Sequence, residues 1–153
     1  MYGLIMRILA IFDCSDIEAR IQLLRKNRHV VTHVTNIVDG LALLKSKSFD
    51  LILCQATFEV NTANVFDLLK EIREISDVPF ICCSAGKTKM ESAVENVFLT
   101  TLPLLGGQGF IDNDTFCSTR FAQVVEKSTQ AAVGGKCTVG SLYGKSNDAE
   151  RND

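Results

Sequence analysis

The chain has no tryptophan, two prolines and two histidines among its 153 residues. So little proline leaves few enforced breaks and predicts regular elements joined by short turns. Excess charge of either sign is missing as well. Sixteen Lys and Arg stand against eighteen Asp and Glu, a formal net charge of -2. No global field therefore favours nucleic acid or an anionic membrane, and no basic stripe marks a DNA-binding face. The apolar start, Met1 to Phe12, is too short to span a bilayer and has neither a basic leader nor a small-residue cleavage site. No CxxC pair or His-rich set has zinc spacing. The six cysteines read as reduced thiols of a cytoplasmic protein. Cys54, Cys82 and Cys83 lie inside apolar runs, where a thiol behaves as a small hydrophobe.

What is present is the composition of one globular domain, 46% apolar and 22% charged, of a length suited to a single core. Strand-like and helix-like segments alternate along it. Arg7 to Phe12 is a continuous apolar run, as for a strand buried on both faces. Ser15 with Glu18 has capping-box spacing, and Ile17, Ile21, Leu23 and Leu24 form a helical stripe running to about Arg28. His29 to Thr35 reads as a second strand. Val38, Leu41, Leu43 and Leu44 mark a second helix. Leu51 to Cys54 is a third strand, and a loop over residues 56–63 follows it. Val65, Leu68, Leu69, Ile72 and Ile75 line one side of a third helix. Val78 to Cys83 is a fourth strand with Pro79 at its beginning, where a missing donor is tolerated. A fourth helix is expected from Lys89 to about Leu99, a fifth strand over Gly109 to Ile111, and a last helix from Thr115 to Val133. Such alternation means a parallel sheet with helices on both faces. Residues 1–133 are read as one domain. Residues 134–153, rich in Gly, Ser, Asn, Asp and Lys, are read as a flexible or disordered tail.

Three runs carry a specific resemblance: Arg7-Ile8-Leu9-Ala10-Ile11-Phe12-Asp13, Phe49-Asp50-Leu51-Ile52-Leu53-Cys54-Gln55, and Asp77-Val78-Pro79-Phe80-Ile81 with Ser84-Ala85. In order and spacing they resemble the first, third and fourth strands of the response-regulator receiver domains of two-component signalling. The resemblance runs from Met6 to Val133. It implies a doubly wound five-stranded parallel sheet of flavodoxin type, strand order 2-1-3-4-5, with the site at the carboxyl ends of the strands. It also implies a bacterial, cytoplasmic protein of phosphorelay signal transduction.

Against the family's functional positions the chain departs at several points. The paired acids that hold magnesium fall on Phe12 and Asp13, so one carboxylate is replaced by a ring. The phosphoacceptor aspartate falls on Gln55, whose amide is a poor nucleophile. The hydroxyl residue after the fourth strand is kept as Ser84. The lysine after the fifth strand falls on Asn113, and the switch aromatic falls on Phe110. Magnesium favours anionic oxygens, and phosphoryl transfer requires a nucleophile and cations. The chain therefore resembles a degenerate receiver, a pseudo-receiver, with Asp13 as its one weak metal candidate. No cofactor and no enzymatic activity are expected.

The expected role is phosphorylation-independent: an adaptor that binds a signalling protein, or a second copy of itself, through the fourth helix, fifth strand and fifth helix. Leu99, Leu104 and Leu105 are the candidate contacts, whereas Val97, Phe98 and Leu102 read as core. Nucleic acid and membrane are not expected partners. Two rivals are weighed beside it. One is an atypical receiver that still takes part in phosphorelay through another acceptor, Glu59 or Asp112. The other is a flavodoxin-like site for a flavin phosphate or other small molecule, which the acidic loop Asp13-Cys14-Ser15-Asp16 disfavours. Cys14 beside the site is a candidate redox thiol, set against a plain buried role.

Overall fold

The computed structural model describes residues 5–57, 65–85 and 91–133. Their strands are β1 (Arg7–Ile11), β2 (Val30–Val34), β3 (Leu51–Gln55), β4 (Phe80–Cys83) and β5 (Gly109–Ile111). The helices are α1 (Ile17–Lys26), α2 (Ile37–Ser46), α3 (Val65–Ile75), α4 (Ser92–Leu104), α5 (Asn113–Phe116) and α6 (Phe121–Val133). The strands form one sheet in the order β2-β1-β3-β4-β5, and every pairing is parallel. The alternation of segments predicts the parallel sheet, and the receiver resemblance implies this doubly wound flavodoxin-like order.

Period-two geometry divides the buried strand residues between two cores. Ile8, Ala10, Leu51, Leu53, Ile81, Cys83 and Ile111 face one side, where Ile17, Ile21 and Leu24 of α1 and Phe121 and Val125 of α6 cover them. Leu9, Ile11, Ile52, Cys54, Phe80, Cys82 and Phe110 face the other, under Leu68, Leu69 and Ile72 of α3 and Phe98 and Leu102 of α4. The vicinal Cys82 and Cys83 thus point to opposite faces, both fully buried. On α2, buried Gly40 lets the helix lie on β1: a Cβ there would stand 2.6 Å from Ile11 Cδ1.

Several local expectations are corrected. The Ser15–Glu18 capping box does not form. Asp16 is the N-cap of α1 and makes no side-chain cap bond, while the Glu18 N–H reaches the Ser15 carbonyl at 3.3 Å. Val38 is 76% exposed and Ile75 47%, so neither belongs to the inward stripe of its helix. Ile37, Leu41, Leu43 and Leu44 pack inward on α2 instead. The fourth helix runs past Leu99 to Leu104 with Pro103 inside its last turn. Its expected beginning at Lys89, the 58–64 part of the third-strand loop and the 134–153 tail lie outside the described residues.

The last helix is two helices. Phe116 and Phe121 are both fully buried and meet edge to face at 5.4 Å. In one continuous helix, residues five apart differ by about 140° and cannot share a face. The backbone resets between them. The Ser118 hydroxyl donates to the Thr115 carbonyl at 2.9 Å. Arg20 of α1 donates to the Phe116 and Ser118 carbonyls at 3.2 and 2.7 Å.

A buried histidine ties the amino end of the sheet to α6. The Met6 N–H donates to His29 Nδ1 at 3.1 Å. That fixes the hydrogen on Nε2, which faces the Glu126 carboxylate at 2.7 Å.

Helices α1 and α4 end in the same double-bonded C-terminal motif. At α4 the Gly107 and Gly106 N–H groups reach the Leu102 and Pro103 carbonyls, with Gly106 at φ +90°. At α1 the His29 and Arg28 N–H groups reach Leu24 and Arg25, but the left-handed position, φ 77°, is held by Arg28. A side chain there is strained. Arg28→Gly should raise stability by about 0.5–1 kcal/mol, the strain relieved less the added chain entropy of glycine. Urea unfolding measures this, and a loss of stability would contradict the strain assignment.

Candidate functional site

The strand ends bring the candidate residues into two pairs. Asp13 follows β1, Gln55 closes β3, Ser84 follows β4, and Asn113 begins α5 directly after β5.

Gln55 is 1% exposed, and its amide is fully engaged. Its oxygen accepts the Asp13 N–H at 2.9 Å and the Cys14 N–H at 3.3 Å. Its nitrogen donates to Asp13 Oδ1 at 2.8 Å and to the Thr57 carbonyl. The orientation of the amide follows from its partners. Backbone N–H groups only donate, while a carboxylate and a carbonyl only accept, so a flipped amide would set donors against donors. A neutral side chain therefore satisfies the first and third strand ends together. The Thr57 carbonyl and Cys14 N–H were not legible as partners, because nothing in their side-chain chemistry marks them.

Phe12 does not enter this pocket. It is fully buried, and its ring stacks on Phe116 at 5.8 Å between centroids. Where the family places a carboxylate, this chain has an aromatic contact that joins β1 to α5 and, through Phe116, to Phe121 of α6. The carbonyl of Phe12 accepts from His33 Nε2 at 2.9 Å.

In the second pair, the Asn113 amide donates to the Ser84 carbonyl at 3.1 Å, while the Ser84 N–H reaches the Ile111 carbonyl at 2.8 Å. Asn113 thus braces the turn after β4. It carries no charge to meet a phosphoryl oxygen. Phe110 is 5% exposed and lies beside Phe98, with centroids 6.0 Å apart. Phe66 stands 4.9 Å on the other side of Phe98.

These residues do not fit magnesium. Asp13 brings one carboxylate, and one of its oxygens already receives the Gln55 amide. Among the described residues no group of three or more His, Cys, Asp or Glu side chains is arranged to hold a metal ion. The alternative acceptors fare differently. The Asp112 carboxylate caps α5 by accepting the Thr115 N–H at 2.8 Å, and Glu59 lies outside the described residues. At the start of α1, Asp16 and Glu18 flank the helix end and Arg20 is committed to two carbonyls. Two carboxylates at this helix end disfavour an anion there.

Cys14, Cys82 and Cys83 are all buried thiols. Burial pushes the Cys14 thiol up, and it pushes Cys83 and Cys82 well above the usual thiol range. Burial and a raised thiol both run against the redox reading of Cys14.

The proposed contact residues divide. Leu104 is 80% exposed, whereas Leu99 and Leu105 are half-buried and pack against the core on this face of the sheet. Phe98 and Leu102 are buried, but Val97, expected inside, is 51% exposed. The outward face of α4 therefore carries Val94, Val97 and Leu104. The one charged residue of this helix is Glu95, which is buried.

This is the fold of a receiver domain, and solved structures bear the likeness out. The chain matches NtrX from Brucella abortus with a TM-score of 0.70 and 17% identity, covering 86% of this chain and 28% of that one. It matches the chemotaxis response regulator CheY4 of Vibrio cholerae with a TM-score of 0.63 and 17% identity, over 82% of this chain and 99% of the other. A two-component response regulator from Clostridium difficile matches with a TM-score of 0.65 and 15% identity, covering 83% and 97%. The chain thus spans under a third of NtrX and nearly all of the two smaller proteins. No protein-family profile matches it, and no curated protein matches it by sequence. At such identities the likeness concerns fold. Among the described residues, no helix is long and apolar enough to cross a membrane.

Gln55→Leu keeps much of the volume but leaves the part-buried Asp13 N–H and the buried Cys14 N–H without their acceptor. It should cost about 2–4 kcal/mol, read from urea unfolding. A change under about 0.5 kcal/mol would mean that the amide network is not a structural support.

Proposed function

We propose that this chain is a phosphorylation-independent signalling module, a pseudo-receiver that acts through protein–protein contact. The observation that carries the reading is the Gln55 amide, with both of its ends bonded inside a closed pocket. A conventional receiver needs an anionic nucleophile at that position, a second carboxylate beside Asp13 and a cation after β5. Here those positions hold an amide, a core phenylalanine and Asn113, so that Asp13 is the one acid left of that constellation and is bonded to the amide.

The contact surface is assigned to α4, β5 and the helices after it. The support is the outward face of α4, where Val94, Val97 and Leu104 are exposed with no charged side chain among them. By contrast α3 carries Asp67, Lys70, Glu71, Arg73 and Glu74, as a helix turned to water does. An uncharged strip on a single helix is small for a stable interface, so the partner is a protein bound transiently, or a second copy of the chain.

Two measurements test this reading. Incubation with acetyl phosphate and magnesium should leave the intact mass unchanged; a gain of one phosphoryl group would contradict the assignment. Leu104→Glu and Val97→Glu should each change stability by less than about 0.5 kcal/mol, as exposed positions do. Unfolding of both variants would return these residues to the core and remove the surface.

A further inference from the structure

We infer that Arg73 and Gln108 form a clamp that holds the last turn of α4 in place, and with it the exposed Leu104. As a claim about presenting a binding face, this rests on the surface reading above; as a claim about local order, it stands alone.

The last turn of α4 lacks one bond of the helical ladder, although the Leu105, Gly106 and Gly107 N–H groups close the turn after it. Pro103 has no N–H to offer the carbonyl one turn earlier. Leu104 is 80% exposed and gains little from packing. The turn closes on Gly106 and Gly107, and Gly106 adopts the left-handed conformation.

A single guanidinium compensates. Arg73 projects from the last turn of α3 and donates to the Gly106 carbonyl twice, from Nε at 3.1 Å and from Nη2 at 2.9 Å. Nη1 donates to the Ser76 carbonyl at 3.1 Å. Nη2 also reaches Gln108 Oε1 at 3.0 Å. That same oxygen accepts the Phe80 N–H at 2.7 Å, and the Gln108 N–H returns to the Phe80 carbonyl at 2.8 Å. The end of α3, the turn after α4 and the first residue of β4 are thereby joined at one point. A planar fork suits several carbonyl oxygens at once, which an ammonium does not. Gly106 is also the residue that admits the fork, since a Cβ there would lie 2.9 Å from Arg73 Nε. Arg73 is therefore a positioning residue. It acts on the surface through the turn, not by touching a partner.

Amide hydrogen exchange tests this on the whole chain. The N–H groups of Leu105, Gly106, Gly107 and Gln108 are bonded to Thr101, Pro103, Leu102 and Phe80 carbonyls, so each reports opening of the turn. Those of Val30 and Asp50, bonded to Met6 and Arg7, report the far end of the sheet. In Arg73→Gln the first group should exchange about tenfold faster or more, while the second group changes little. Gln108→Met, which removes the shared acceptor, should accelerate the same group. Arg73→Lys should fall between wild type and Arg73→Gln. No local acceleration in either of the first two variants overturns the clamp. So does equal acceleration throughout, or failure of Arg73→Gln to fold, since either would make Arg73 a global support. Should the clamp hold while Leu104→Glu unfolds the chain, the surface reading falls and the clamp remains.

Discussion

One buried amide joins the ends of β1 and β3. Gln55 ends β3 at the centre of the fold, with β1 on one side and β4 on the other. Backbone donors after β1 point at this position, and an acceptor must meet them or they are buried unpaired. A carboxylate could accept both N–H groups but would stand against Asp13 without a cation to screen the pair. An amide accepts with one end and donates to Asp13 with the other. An amide at this position meets Asp13 without added charge and offers no carboxylate oxygen as a nucleophile.

The aromatic residues extend the same logic. Replacing an acid by Phe12 would leave a ring near water unless something covered it. Phe116 and Phe121 provide that cover on one face, and the backbone breaks between α5 and α6 to bring both inward. On the other face Phe66, Phe98 and Phe110 form a second chain of rings. The strand-end site therefore holds one carboxylate, Asp13, bonded to the Gln55 amide, with aromatic packing beneath it.

Much of the fold was legible because parallel strands buried on both faces leave continuous apolar runs. Leu51 to Cys54 and Phe80 to Cys83 could hardly be anything else. Their parallel pairing followed from the alternation with helices, and their order only from the receiver resemblance. Helix boundaries were less legible, since they turn on bonds between distant residues. Arg20 and Ser118 end α5, and Arg73 secures the end of α4; neither relationship has a local signature. Single positions such as Val38, Ile75 and Val97 were misplaced because an apolar side chain on a helix need not face the core. At the site, the loss of charge at Gln55 and Asn113 could be read from their types alone. That Gln55 would bond all four of its partners, and that Phe12 would turn inward onto Phe116, depends on backbone positions that sequence spacing does not fix.

The central claim is that the strand-end pocket is closed by Gln55 and does not respond to the ligands of a working receiver. An amide NMR titration with magnesium and then beryllofluoride, which mimics an acyl phosphate, tests it most directly. The account predicts unchanged resonances for Asp13, Gln55 and Ser84. Shifts at those three residues that spread to Phe110 would contradict it, and would mean that a ligand-driven switch survives in this chain.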